Sequence, residues 1–378
     1  MRKKVLSLLT VLCLTISLVP AAFATDTTMN ETDFRNAVAA GGTVTMTGDV
    51  TLTGTLTIGN AVTIDGTSAN YAINYNGNST SYAAIDVATD APVVLQNLTI
   101  NATETNGRAV KLSNGSSKFT FKNGTMNVGN RGIWVGDAGC DADSYITVDN
   151  SVIQNSQLPS GSSYDTWARY GDTRGISLWN MNAADVNIVD SSILGFGYTV
   201  NLTGDMDSNG IRDYNGTTVD VTNSFLKGWT TFNVWSAKTV FTITNTYLLG
   251  INNSNGGYDG FATIVVNDDL YGQGFGHSYA NEFNIAGGTI TNYQSGAADE
   301  QLFRVDDEGI TKVNFAKNGI KKVKIIDTTG NAVAAFFSPL MTSAEMASFV
   351  TDRVTGHEYC TLTGKDGGTL VWGSVLAE

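Results

Sequence analysis

Three arginines, Arg108, Arg131 and Arg174, each stand two residues before the first apolar residue of a short alternating segment: Val110-Lys111-Leu112, Ile133-Trp134-Val135 and Ile176-Ser177-Leu178. Tyr198 takes the same place before Val200-Asn201-Leu202. Strict alternation would aim this position inward, where an isolated guanidinium is prohibitively costly, so the arginines are expected at the corner before each strand begins, as a short basic stripe. Trp134 and Trp179 lie beside it in sequence, and the insertion from Asn155 to Thr173 adds Tyr164, Asp165, Trp167, Arg169, Tyr170 and Asp172. Aromatic faces stack on sugar rings and guanidinium forks take carboxylates in bidentate pairs, so this set suits a polysaccharide or cell-surface glycan containing uronic acid. The same residues also fit a structural reading, in which the arginines pair with Asp165 or Asp172 and the aromatics pack the insertion onto the strands.

A second insertion reads Asp205-Met206-Asp207-Ser208-Asn209-Gly210-Ile211-Arg212-Asp213. Oxygen ligands at alternate positions, followed by Gly at the sixth, make a loop that can wrap Ca²⁺, with Asp205, Asp207, Asn209 and Asp213 as ligands. Gly216 stands where a closing carboxylate would be expected. A polar turn rich in Asp and Asn is the alternative.

What positions these groups is a repeat. Alternating apolar residues, then Asn or Asp, then a small residue recur as Phe119-Thr120-Phe121-Lys122-Asn123-Gly124, Ile146-Thr147-Val148-Asp149-Asn150-Ser151, Val186-Asn187-Ile188-Val189-Asp190-Ser191, Val219-Asp220-Val221-Thr222-Asn223-Ser224 and Phe241-Thr242-Ile243-Thr244-Asn245-Thr246. Period-2 alternation puts Val, Ile and Phe inward and Thr, Lys or Asn outward. Asn tolerates the left-handed backbone of a tight corner, so an Asn in every copy predicts a stacked amide ladder. With the two insertions set aside, copies recur about every 22 to 25 residues, the length of one coil of a three-strand solenoid.

Over roughly residues 43–297 this pattern resembles the right-handed parallel β-helix proteins of the pectate-lyase-like superfamily. The resemblance implies an all-β solenoid of about seven to eight coils. The acidic loop through Asp213 is similar to the calcium loops of thrombospondin-type repeats, and Asp268-Asp269 with Gly276-His277-Ser278 is similar to the paired Asp and later His of polygalacturonases. The Trp-Ile-Asp-His segment and paired arginines of pectate lyases are absent, as is the Asn-x-Asp element of polygalacturonases.

The flanks read differently. Met1-Arg2-Lys3-Lys4, an apolar run from Val5 to Val19 and the site Ala22-Phe23-Ala24 have the order of a secretory signal peptide over residues 1–24, which implies a secreted or cell-surface location. Within residues 25–42, Thr32 to Ala40 followed by Gly41-Gly42 predicts a short cap helix. From 298 to 378 composition changes: Lys322 to Asp327 and Ala332 to Phe336 read as a hairpin, Thr342 to Val354 as a helix, and Lys365-Asp366-Gly367-Gly368 as the turn of a last hairpin, together a C-terminal cap or small appended domain. No later stretch is apolar enough for a membrane span, and Cys140 and Cys360 are either two thiols or one disulfide.

The net charge of −13 argues against nucleic acid as the main partner. The expectation is therefore a non-catalytic glycan-binding or adhesion scaffold. A polysaccharide lyase with Arg131 and Arg174 as base or carboxylate clamp is the alternative, and a glycoside hydrolase using Asp165 and Asp172 a second.

Overall fold

The computed structural model describes residues 28–157, 173–208, 210–251, 262–266, 281–286 and 288–292, and after these the strands within 301–305, 312–315, 324–325, 335–337, 360–363 and 369–372. The chain is all-β and mostly parallel, consistent with a β-solenoid. A ten-stranded parallel sheet, here row one, includes Val62–Asp65, Pro92–Gln96, Lys118–Lys122 and Tyr145–Asp149 in unbroken register. Row two includes Thr99–Ala102, Thr125–Val128 and Val152–Asn155. Row three includes Arg108–Leu112, Arg131–Val135 and Arg174–Met181. Rows two and three fuse where Ser192–Gly204 and Phe225–Trp235 each run through both.

The alternation read from the sequence decides what is buried. In Lys118–Lys122 both phenylalanines point in and are fully buried, while Lys118, Thr120 and Lys122 point out. The inward columns stack mainly Val, Ile, Leu and Phe on the same position of the next strand, about 4.8 Å away, so one continuous apolar core runs through the rows.

The Asn column forms the corner between rows one and two. Asn97, Asn123, Asn150, Asp190, Asn223 and Asn245 all have positive φ, between 44° and 54°. Asn97 donates to Asp65 at 3.0 Å, Asn123 to Asn97 at 3.2 Å and Asn150 to Asn123 at 3.0 Å. Hydrogen bonds from the amide side chains of Asn97 and Gln96 and the backbone of Thr67 hold the Asp65 carboxyl below its usual range, Asn97 contributing most. The residue after the corner adds a second, buried column. Ser151, Ser191, Ser224 and Thr246 each donate to the carbonyl two residues back and accept from a backbone amide of the preceding strand layer.

Two substitutions separate the two roles of the Asn corner. Asn123→Gly keeps the backbone conformation but loses both rungs, an expected cost of about 1–2 kcal/mol. Asn123→Val also forces a β-branched residue to φ 52°, raising the expected cost to about 2–4 kcal/mol. Urea unfolding of both variants measures the difference; equal costs would mean that the corner conformation contributes nothing.

At the N-terminal end, the helix Glu31–Ala40, here α1, starts one residue before the predicted range because Asn30 accepts from the amides of Thr32 and Asp33. Gly41, at φ 77°, ends it. Phe34 and Val38 are its buried residues, and Arg35 donates to the carbonyl of Thr55 at 2.9 Å.

Among the described residues, the two arms of the predicted hairpin of 322–336 do not pair with each other. Lys324–Ile325 instead pairs in parallel with Thr289–Asn292, and Ala335–Phe337 in parallel with Gln301–Val305. Lys312–Phe315 likewise extends row one beyond Glu282–Ala286, so parallel pairing continues past residue 298. The last hairpin is present: Cys360–Thr363 and Thr369–Trp372 pair antiparallel. The segment 1–24 and the predicted helix of 342–354 lie outside the described residues.

Candidate functional site

The register aligns Arg108, Arg131, Arg174 and Tyr198 as one column at the start of row three. Each arginine is the first residue of its strand rather than part of the corner before it. The turn outward depends on the residue that follows, which is Ala109, Gly132 or Gly175, all buried. A Cβ on Gly132 would run into the side chain of Ile153 and stand 2.5 Å from the carbonyl of Gly175. Only a very small residue fits beneath the arginine corner.

The next outward column holds Asp86, Lys111, Trp134 and Ser177. Trp134 is the hub. The Arg108 guanidinium carbon lies 4.4 Å from its ring centroid, the Lys111 ammonium nitrogen 4.7 Å and the Arg131 guanidinium carbon 5.5 Å. Arg174 makes the equivalent contact with Tyr198 at 5.2 Å. Cations over an indole face are attracted by its quadrupole, so the ring lets three like charges stand close together.

This geometry divides the candidates. Arg108 is only 5% exposed and acts beneath Trp134 rather than toward solvent, a correction to its expected place as a ligand contact. Arg131 and Arg174 are half-buried, and Trp134 is committed to the cations around it. Trp179 lies on the strand Arg174–Met181, two residues beyond Ser177, and is 46% exposed, which makes it the ring available for stacking. Lys111 was not singled out from the sequence, although its alignment opposite Trp134 was visible in the repeat. Tyr164, Asp165, Trp167, Arg169, Tyr170 and Asp172 lie outside the described residues, as do Asp268, Asp269 and His277.

The chain was compared with protein-family models, curated proteins and solved structures. Nothing matches. Its chemistry has to be read from its own residues.

The calcium reading is not supported by the geometry. Asp213 is fully buried, with its carboxylate turned into the rows: it accepts from the amides of Ala183 at 3.0 Å and Thr217 at 2.7 Å and from the Thr239 hydroxyl at 3.3 Å. Asp205 and Asp207 accept from the amides of Met206 and Ile211 in their own turn, both at 2.9 Å. Among the described residues no three acidic, His or Cys side chains gather as a metal site, and Asn209 lies outside them. The bonds of Asp205 and Asp207 are those of an Asp-rich turn.

Cys140 is a buried free thiol, its pKa pushed up to about 12 chiefly by burial. It stays protonated and unreactive at neutral pH. Among the described residues no helix is long and apolar enough to cross a membrane.

Proposed function

We propose that this chain is a secreted or cell-surface right-handed parallel β-helix of the pectate-lyase-like kind, and that it works as a non-catalytic scaffold binding an acidic glycan on row three. One observation carries the reading: the register sets Arg131 beside Arg174, with Lys111 on the strand before them, and the exposed ring of Trp179 stands farther along the strand that Arg174 opens. A uronate carboxylate is recognised by the cations, and the apolar face of a sugar stacks on Trp179. Parallel strands repeat about every 4.8 Å, so the cations form a fixed array and little side-chain ordering is left for binding.

The chain's acidic balance is no obstacle, because the cations are concentrated in one place while solvent screens distant charge beyond about 10 Å at 0.1 M salt. Binding through such a patch weakens as salt rises.

Titration with oligogalacturonate, oligoalginate and glycosaminoglycan fragments tests the proposal. Binding to at least one is expected, weakened about tenfold by Trp179→Ala and about tenfold or more by Arg131→Ala. Equal affinity for neutral and acidic fragments, or full affinity in both variants, would exclude this site.

A further inference from the structure

The corner between rows one and two carries a second surface of different chemistry. Beside the Asn97–Asn123–Asn150 ladder lies an open groove of about 380 Å³, and every residue that lines it is uncharged. Thr125 and Val152, neighbours in the first outward column of row two, lie on its floor, and Thr99 precedes them in that column. Two residues farther along each strand a second amide ladder runs parallel to the first. There Asn101 donates to Asn74 at 2.8 Å, Asn127 to Asn101 at 2.8 Å and Gln154 to Asn127 at 2.7 Å. The floor is thus bordered on both sides by amides.

The floor column continues from Val152 to Ser192, Phe225 and Tyr247. The rings of Phe225 and Tyr247 stack with centroids 5.0 Å apart and planes 13° from parallel. Tyr247 is 38% exposed on the outer face of its strand. A strip along the row axis therefore begins with amides and hydroxyls and ends on a pair of aromatic rings.

We infer that this strip binds an uncharged, linear saccharide chain lying along the row axis. A carboxamide within a ladder spends one N–H and one lone pair on its neighbours and keeps one of each, so the two ladders can answer hydroxyl groups, which both donate and accept. Rungs repeat about every 4.8 Å, close to the advance of one pyranose in an extended chain, so successive sugars meet equivalent amides. Phe225 and Tyr247 supply the apolar surface that a sugar's C–H face stacks on. Asp190, exposed in the corner column after Asn150, and Lys227, two residues beyond Phe225, stand on opposite sides of the strip with opposite charge. The strip is on row two, apart from the cationic column of row three, and stands independently of the function proposed for that site.

The test uses the mature full-length chain titrated with cellohexaose, xylohexaose and mannohexaose, and with oligogalacturonate in parallel. At least one neutral oligosaccharide is expected to bind with little dependence on salt. Phe225→Ala with Tyr247→Ala should weaken that binding about tenfold or more, while Trp179→Ala leaves it unchanged. Ser192→Arg places a bulky charged side chain on the floor without touching the core, and should also weaken it if the double variant does not fold. Failure of all three neutral oligosaccharides to bind, or neutral binding that survives both the double variant and Ser192→Arg, would overturn the inference. Loss of oligogalacturonate binding alone would count against the row-three site and leave this one standing.

Discussion

Replacing Phe241 by Ala is expected to lower the unfolding free energy by about 3–5 kcal/mol, the range for removing a fully buried phenylalanine. Phe241 stacks on Phe283 with centroids 4.2 Å apart and planes within 2°, and meets Phe232 edge-on at 5.7 Å. It is in register with Val219 on one side and Phe283 on the other, so its ring connects three strand layers. Hydrogen-bonded ladders fix the strand spacing, and the layers cannot collapse to fill the cavity. Phe241→Leu keeps most of the volume and should cost well under half as much. Chemical unfolding gives the magnitudes, and hydrogen exchange should show the loss concentrated at 218–222 and 282–286, with 62–65 spared. A uniform loss along the chain would contradict nearest-neighbour coupling.

Asp213→Ala should cost about 2–5 kcal/mol by a different route. The carboxylate ties together the amides of Ala183 and Thr217 and the hydroxyl of Thr239, from successive layers of the fold. Truncation leaves buried donors without their acceptor, each costing about 1–3 kcal/mol before any relaxation. Burial pushes the Asp213 carboxyl above its usual range, while the same hydrogen bonds pull against that shift. A raised pKa means that the native state holds the proton more tightly than the unfolded chain. The contribution is therefore greatest below the ordinary Asp range and is lost as pH rises through the raised value. Asp213→Asn should flatten that pH dependence. Calcium or a chelator should leave the melting temperature of the wild-type chain unchanged; a calcium-dependent rise would restore Asp213 to the ligand role that its sequence context suggested.

The parts of the fold that were legible in the sequence are those where one residue type answers one physical need. Asn at 97, 123, 150, 223 and 245 marks a left-handed corner because few other side chains tolerate it, so the ladder could be read before its geometry was known. The arginine column was legible because period-2 alternation fixes register. Partner choice was not. Lys322 to Asp327 and Ala332 to Phe336 alternate in the same way whether they pair with each other or with the strands of the preceding layer, and the intervening Thr328-Thr329-Gly330-Asn331 suits either. Asp213 had two readings for a related reason: Asp and Asn at alternate positions serve a cation and a self-satisfied turn equally well, and only burial tells them apart.

At row three, sequence supplied Arg108, Arg131, Arg174, Trp134 and Trp179, but neither Lys111 nor their division of labour. Whether Trp134 or Trp179 faces a ligand depends on where Arg108 and Lys111 lie, two residues on the neighbouring strand. The stacked pair of Phe225 and Tyr247 escaped notice because each ring belongs to a different copy of the repeat, and an outward aromatic in one copy carries no signal alone.

Prolonged incubation of the chain with a polyuronate that it binds, following chain length and the absorbance of unsaturated ends, tests the proposed role most directly. A non-catalytic scaffold holds the polymer, loses it as salt rises, and leaves its length and end groups unchanged. Unsaturated ends that accumulate with time and vanish in Arg131→Ala would contradict it and assign a lyase to the same face.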